Sequence, residues 1–142
     1  MKPIAEYLNL LAEKEPSIII IEHESSDDQD YTYLSYYDHE GKLTPAASKT
    51  NADEGWSVDG LTQDACDEIA AAMGYMLKLE IIPYVGGYLF SGVYFPLVGY
   101  GEQAASRNVN CRKDFNEIPK TKRAVAIETL CAAIAHKHGE PK

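Results

Sequence analysis

The spacing of apolar and polar residues divides the chain into short elements. Over residues 3–14, Ile4, Leu8 and Leu11 fall on one helical face with Tyr7 beside them, Glu6, Glu13 and Lys14 lie away from it, and Pro16 ends the helix. Residues 17–23 contain four consecutive isoleucines, a β-branched run that predicts a central strand buried on both faces. A polar turn at 25–29 leads into residues 30–37, where Tyr31, Tyr33 and Tyr37 alternate with Leu34 and Tyr36 and predict a second strand. Residues 38–42, DHEGK, form a turn in which Gly41 is free to take positive φ. Residues 44–60 are rich in Pro, Ala, Ser, Asn, Asp and Gly and read as a long loop anchored by Trp56 and Val58.

The second half repeats this order. Thr62 is an N-cap, Asp64, Asp67 and Glu68 suit the positive end of a helix dipole, Ala65, Ile69, Ala72 and Met73 supply the apolar stripe, and Gly74 closes the helix. Leu77, Leu79 and Ile81 alternate with Lys78 and Glu80 as a half-buried strand, Gly86 and Gly87 supply a hairpin turn, and residues 88–95 return beside it. Residues 96–118 read as a second long connection. A last helix runs from Pro119 or Lys120 to His138, with Ala124, Ile127, Cys131 and Ile134 as its stripe, Leu130 beside it and Gly139 as the stop. Two helix-strand-strand units and a closing helix predict a single α+β domain, a mainly antiparallel sheet of four to five strands packed with three helices. The four-Ile run favours helices on both faces of that sheet.

Charge changes the picture. From residue 17 to residue 41 there is no Lys or Arg, while seven carboxylates (Glu22, Glu24, Asp27, Asp28, Asp30, Asp38, Glu40) and four tyrosines (Tyr31, Tyr33, Tyr36, Tyr37) crowd the interval. Residues 1–60 hold 13 acidic and 4 basic side chains, whereas residues 61–142 hold nine of each, so the whole net charge of −9 belongs to the first 60 residues. Carboxylates that repel one another are not needed for solubility alone, and a charged partner or head-to-tail self-association follows from such asymmetry. Residues 1–11 are broken by Glu6 and Asn9 and form neither a signal-peptide core nor a membrane span. Cys66, Cys111 and Cys131 are odd in number and never spaced as C-x-x-C, which fits reduced thiols in the cytoplasm of a bacterial cell.

Catalytic and cofactor motifs are weak. His136 and His138 lie two residues apart on a helix and point to different sides, so they do not share a metal, and Asp27, Asp28 and Asp30 lack the downstream Gly and Glu of a calcium loop. No G-x-S-x-G elbow or P-loop is present. Cys111, beside Arg112 and Lys113, is the thiol whose reactivity its neighbours could raise. No metal, cofactor or catalytic residue is expected. Two binding readings remain. In the first, Glu22, Glu24, Asp27, Asp28, Asp30, Tyr31, Tyr33, Asp38 and Glu40 imitate the phosphate row of nucleic acid and engage a basic protein groove, making the protein a non-enzymatic inhibitor of a nucleic-acid-binding partner, such as a host-defence nuclease complex. In the second, the basic 107–123 region, with Arg107 and Arg112 in the long connection and Lys120, Lys122 and Arg123 at the start of the last helix, forms an anion or small-molecule site, conceivably that of an enzyme. Neither reading involves direct nucleic-acid or membrane binding, and a homo-oligomer is left open.

From Leu61 onward the chain resembles small phage proteins of the ABA-sandwich family. The features that carry the resemblance are T-x-D at 62–64 with D-E-I-A-A-A after it, the hairpin that follows, and A-V-A-I-E-T-L-C-A-A-I-A at 124–135. It covers about residues 61–138 and leaves the acidic first 60 residues outside. The resemblance implies a phage or prophage origin and an α/β sandwich, with no activity and no site residues.

Overall fold

The computed structural model describes residues 2–50, 55–85, 87–96, 107–114 and 121–142. Among these, the order is α1 (Ile4–Lys14), β1 (Ile19–Ser25), β2 (Asp30–Tyr37), β3 (Leu43–Thr50), α2 (Gln63–Met73), β4 (Tyr75–Tyr84), β5 (Gly87–Pro96), β6 (Arg107–Asp114) and α3 (Lys122–His138). The chain is α+β, but the expected single sheet of four to five strands is replaced by two antiparallel sheets, ordered β1-β2-β3 and β4-β5-β6. Each predicted hairpin takes a third strand from what reads as loop, so each sheet is completed inside its own half of the chain.

The missed strands have physical reasons. In β3, LTPAASKT, the pairing with β2 shifts register at Leu34/Ser35, and this bulge lets consecutive Ala46 and Ala47 both turn inward, at 1% and 2% exposure. Period-two alternation is thereby lost. Strand β6, RNVNCRKD, is polar or charged at every position but Val109 and Cys111 and carries little strand signal. The polar segment at 44–60 still has the anchors expected of it, since Trp56 and Val58 pack against the core.

The four-isoleucine run is also corrected. Strand β1 is an edge strand with β2 as its neighbour, not a central strand buried on both faces. Ile18 and Ile19 are buried, Ile20 is partly covered, and Ile21 is 47% exposed. The strand starts beneath α1 and runs out past it, and every residue from 21 to 28 is exposed.

Three helices lie between the sheets. Helix α1 touches β1 and β2 on one side and α3 on the other, while α3 touches all three strands of the second sheet and both other helices. Helix α1 turns Ala5, Tyr7, Leu8, Leu11 and Ala12 inward at the i, i+3, i+4, i+7 spacing of one face. Helix α3 instead buries Val125, Ala126, Thr129, Leu130, Cys131, Ala133 and Ile134, a wide band rather than the single stripe expected of it, because it is packed on two sides. Thr62 and Thr121 cap α2 and α3 by accepting the Ala65 and Ala124 amides at 3.1 and 3.0 Å, and Gly74 closes α2 at φ 88°. Strand β5 meets α3 so closely at Gly92 that a Cβ there would lie 1.9 Å from the Thr129 hydroxyl oxygen. No described helix is long and apolar enough to cross a membrane.

Candidate acidic interface

The β1–β2 register decides where the acidic, tyrosine-bearing residues point. Directly opposed residues share a sheet face, and the pairs Glu22 with Tyr33 and Glu24 with Tyr31 therefore project together. The other face carries Ile19 with Tyr36 and Ile21 with Leu34; Ile19, Leu34 and Tyr36 are buried there. Tyr31, Tyr33 and Tyr37 thus stand on the outer face, Tyr37 at 52% exposure, while Tyr36 enters the core. The rings of Tyr31 and Tyr33 stack at 6.1 Å with an interplanar angle of 12°. Desolvation and the Glu24 carboxylate together raise the Tyr33 phenol above its ordinary range. Glu22, Glu24, Tyr33 and Pro45 line a shallow, open depression.

Asp27 and Asp28 stand at the hairpin tip, where the Ser26 amide and hydroxyl both donate to the Gln29 carbonyl at 2.9 Å, and Asp30, exposed beside them and paired with Ser25, opens β2 on the face of Leu34 and Tyr36. Lys49 of β3 turns its ammonium to the Trp56 ring, 4.9 Å from the centroid. Seven of the nine proposed partner-binding residues are therefore gathered on one hairpin.

Asp38 and Glu40 are not. They lie beyond the other end of β2, about 23 Å along an eight-residue strand at roughly 3.3 Å per residue. Asp38 is occupied with its own turn, accepting the Glu40 and Lys42 amides at 2.9 Å, and the Lys42 amide leads the causes that hold its carboxyl below the usual range. His39 bonds Glu68 of α2 at 2.6 Å, and that bond, followed by the Glu68 charge, raises the imidazole pKa. Sequence spacing alone could not separate the two groups, because both flank the same tyrosine-rich strand.

The cations proposed for an anion site are distributed differently. Arg123 spends its guanidinium on the backbone, Nε donating to the Leu61 carbonyl at 2.9 Å and Nη2 to that of Val58. It ties the start of α3 to the turn before α2. Lys122 is the exposed first residue of α3, and Lys120 lies outside the described residues. Arg107 pairs with Tyr94 and Arg112 with Leu89, an odd separation that places the two positions on opposite faces of β6.

The remaining titratable groups form local contacts. Cys66 and Cys131 are buried; burial, followed by the Asp67 charge, pushes the Cys66 thiol up to about 12, and burial raises Cys131 as well. His136 Nδ1 lies 2.7 Å from the Tyr75 hydroxyl, while His138 Nε2 and Lys137 Nζ reach Glu15 at 2.7 and 2.8 Å. Among the described residues no group of three or more His, Cys, Asp or Glu side chains is arranged to hold a metal ion. A wider depression between α1 and the C-terminal residues is lined by Glu6, Glu13, Lys14 and Lys142, whose charges are mixed. No protein-family model, curated protein or solved structure matches the chain.

Proposed function

We propose that this is a non-enzymatic, phage-type binding protein whose acidic β1–β2 hairpin docks into a basic groove of a nucleic-acid-binding partner protein and inhibits it. The observation that carries this reading is the outer face of the hairpin, where Glu22 and Glu24 stand beside Tyr31 and Tyr33 and lead to three aspartates at an exposed tip. Tyrosine supplies rigid contact area, and flanking carboxylates steer and orient a cationic partner. The support is also geometric. Strand β3 pairs with β2 as far as Tyr31, so the acidic face is three strands, or about 10 Å, wide and only the turn bearing Asp27 and Asp28 projects beyond it to lead into a groove. Lys and Arg side chains that normally receive phosphates would there meet carboxylates.

The test is capture from a bacterial lysate on immobilised protein at low and high salt, with the retained proteins identified by mass spectrometry. Retention of basic, nucleic-acid-binding proteins is expected, released by salt and lost in the Asp27→Lys, Asp28→Lys, Asp30→Lys variant. Retention indifferent to both salt and charge reversal would refute the reading.

A further inference from the structure

The two outer edges of the first sheet are treated differently. On β3 the edge is closed: Ser48 exchanges both backbone hydrogen bonds with Ser57, at 2.9 and 2.7 Å. The backbone at Gly60 comes so near that a Cβ there would lie 2.2 Å from the Pro45 carbonyl oxygen. On β1, residues 21–25 are exposed, and among the described residues no backbone pairs with the side facing away from β2.

The phase of the ladder shows which groups are free. The Ser26 amide bonds the Gln29 carbonyl, and antiparallel pairs alternate between bonded and non-bonded, so Glu24, Glu22 and Ile20 direct their backbone groups to β2. Ser25, His23 and Ile21 turn theirs outward. Along the same stretch Glu22 and Glu24 project to the outer face, and Ile21 and His23 project to the inner face where it passes beyond the helices.

We infer that this edge accepts a fourth strand from the partner protein, an extended segment in which Lys or Arg alternates with apolar residues. The inference rests on the proposed docking function and names its mode of binding. Cations opposite Glu22 and Glu24 neutralise the outer face, an apolar residue opposite Ile21 covers its 47% exposure, and main-chain hydrogen bonds to Ile21, His23 and Ser25 supply affinity. A second copy is a poorer occupant. Pairing β1 with itself brings four carboxylates onto one face with no cation opposite, the charge pattern by which exposed edges avoid self-association.

The probe is a synthetic peptide of about eight residues alternating Lys and Val. It is compared with a peptide of the same composition in two blocks, and with the alternating peptide N-methylated at every second amide in either phase. The alternating peptide is expected to bind at low salt, with methylation in one phase and the Glu22→Lys, Glu24→Lys variant each weakening binding about tenfold. Binding is also expected to slow hydrogen exchange at the Ile21 and His23 amides. Equal binding by the block and both methylated peptides, with that exchange unchanged, overturns strand addition and leaves the lysate result to judge acidic docking on its own. Protection of these amides in the free protein together with a dimer in sedimentation overturns it in favour of a second copy.

Discussion

The two halves of the molecule share one plan, a helix followed by a three-stranded antiparallel meander, and differ in what their sheets do with it. The second sheet lies against α3 along all three strands, closely enough at Gly92 that no side chain fits, and residues 61–142 carry no net charge. The first sheet meets α1 with its lower part and sends the rest of the β1–β2 hairpin into solvent, bearing most of the acidic residues between 17 and 41. One plan thus yields a packed half and a presenting half. Burial, rather than topology, separates the two.

The largest effect that would break the comparison is on the packed side. Gly92→Val drives a side chain into Thr129 and Val125 and is expected to lower stability by about 3 kcal/mol, measured by denaturant unfolding. An effect below about 0.5 kcal/mol would show that β5 is not seated on α3 as described. Arg123→Met keeps length but leaves the Leu61 and Val58 carbonyls without their donor, and about 1–2 kcal/mol should be lost in the same measurement. If Arg123 instead serves an anion, that substitution leaves stability unchanged and abolishes phosphate binding.

On the presenting side, Tyr31→Ala with Tyr33→Ala should leave unfolding within about 1 kcal/mol of the parent and weaken partner binding about tenfold. The reverse pattern, lost stability and intact binding, would place these rings with the core instead.

The smallest effect is pH-dependent. Burial opposes ionisation of Glu15, but hydrogen bonds from Lys137 and His138 outweigh it and hold the carboxyl below its ordinary value of 4.5. A folded pKa below the unfolded one contributes stability that is complete above pH 4.5 and is lost as pH falls through the folded value. Glu15→Gln should therefore cost under about 1 kcal/mol at neutral pH and nothing in strong acid, read from unfolding at several pH values.

The sequence made the three helices and four of the six strands legible, because their caps, stops and periodicities are local. Thr62, Gly74 and Gly139 mark ends that the structure keeps, and the alternation of Tyr31 and Tyr33 against Leu34 and Tyr36 correctly divided the faces of β2. Strand β3 was hidden by a bulge that places Ala46 and Ala47 inward together. Four isoleucines suggested a central strand because sequence records hydrophobicity, not the length of the helix that covers it; Ile21 lies where α1 has stopped covering. The acidic surface was visible as composition, but its division was not. Asp38 belongs to a turn whose amides it accepts, and Arg123 to a backbone clasp, and both roles depend on partners brought together by folding.

The central claim is that position, not total charge, makes the hairpin a docking surface. Two variants of equal net charge separate these: Asp27, Asp28 and Asp30 all changed to Lys at the tip, or Glu6, Glu13 and Asp59 all changed to Lys at exposed sites elsewhere. Partner binding at low salt is expected to fall about tenfold or more in the hairpin variant and less than about threefold in the other. Equal losses in both would contradict it.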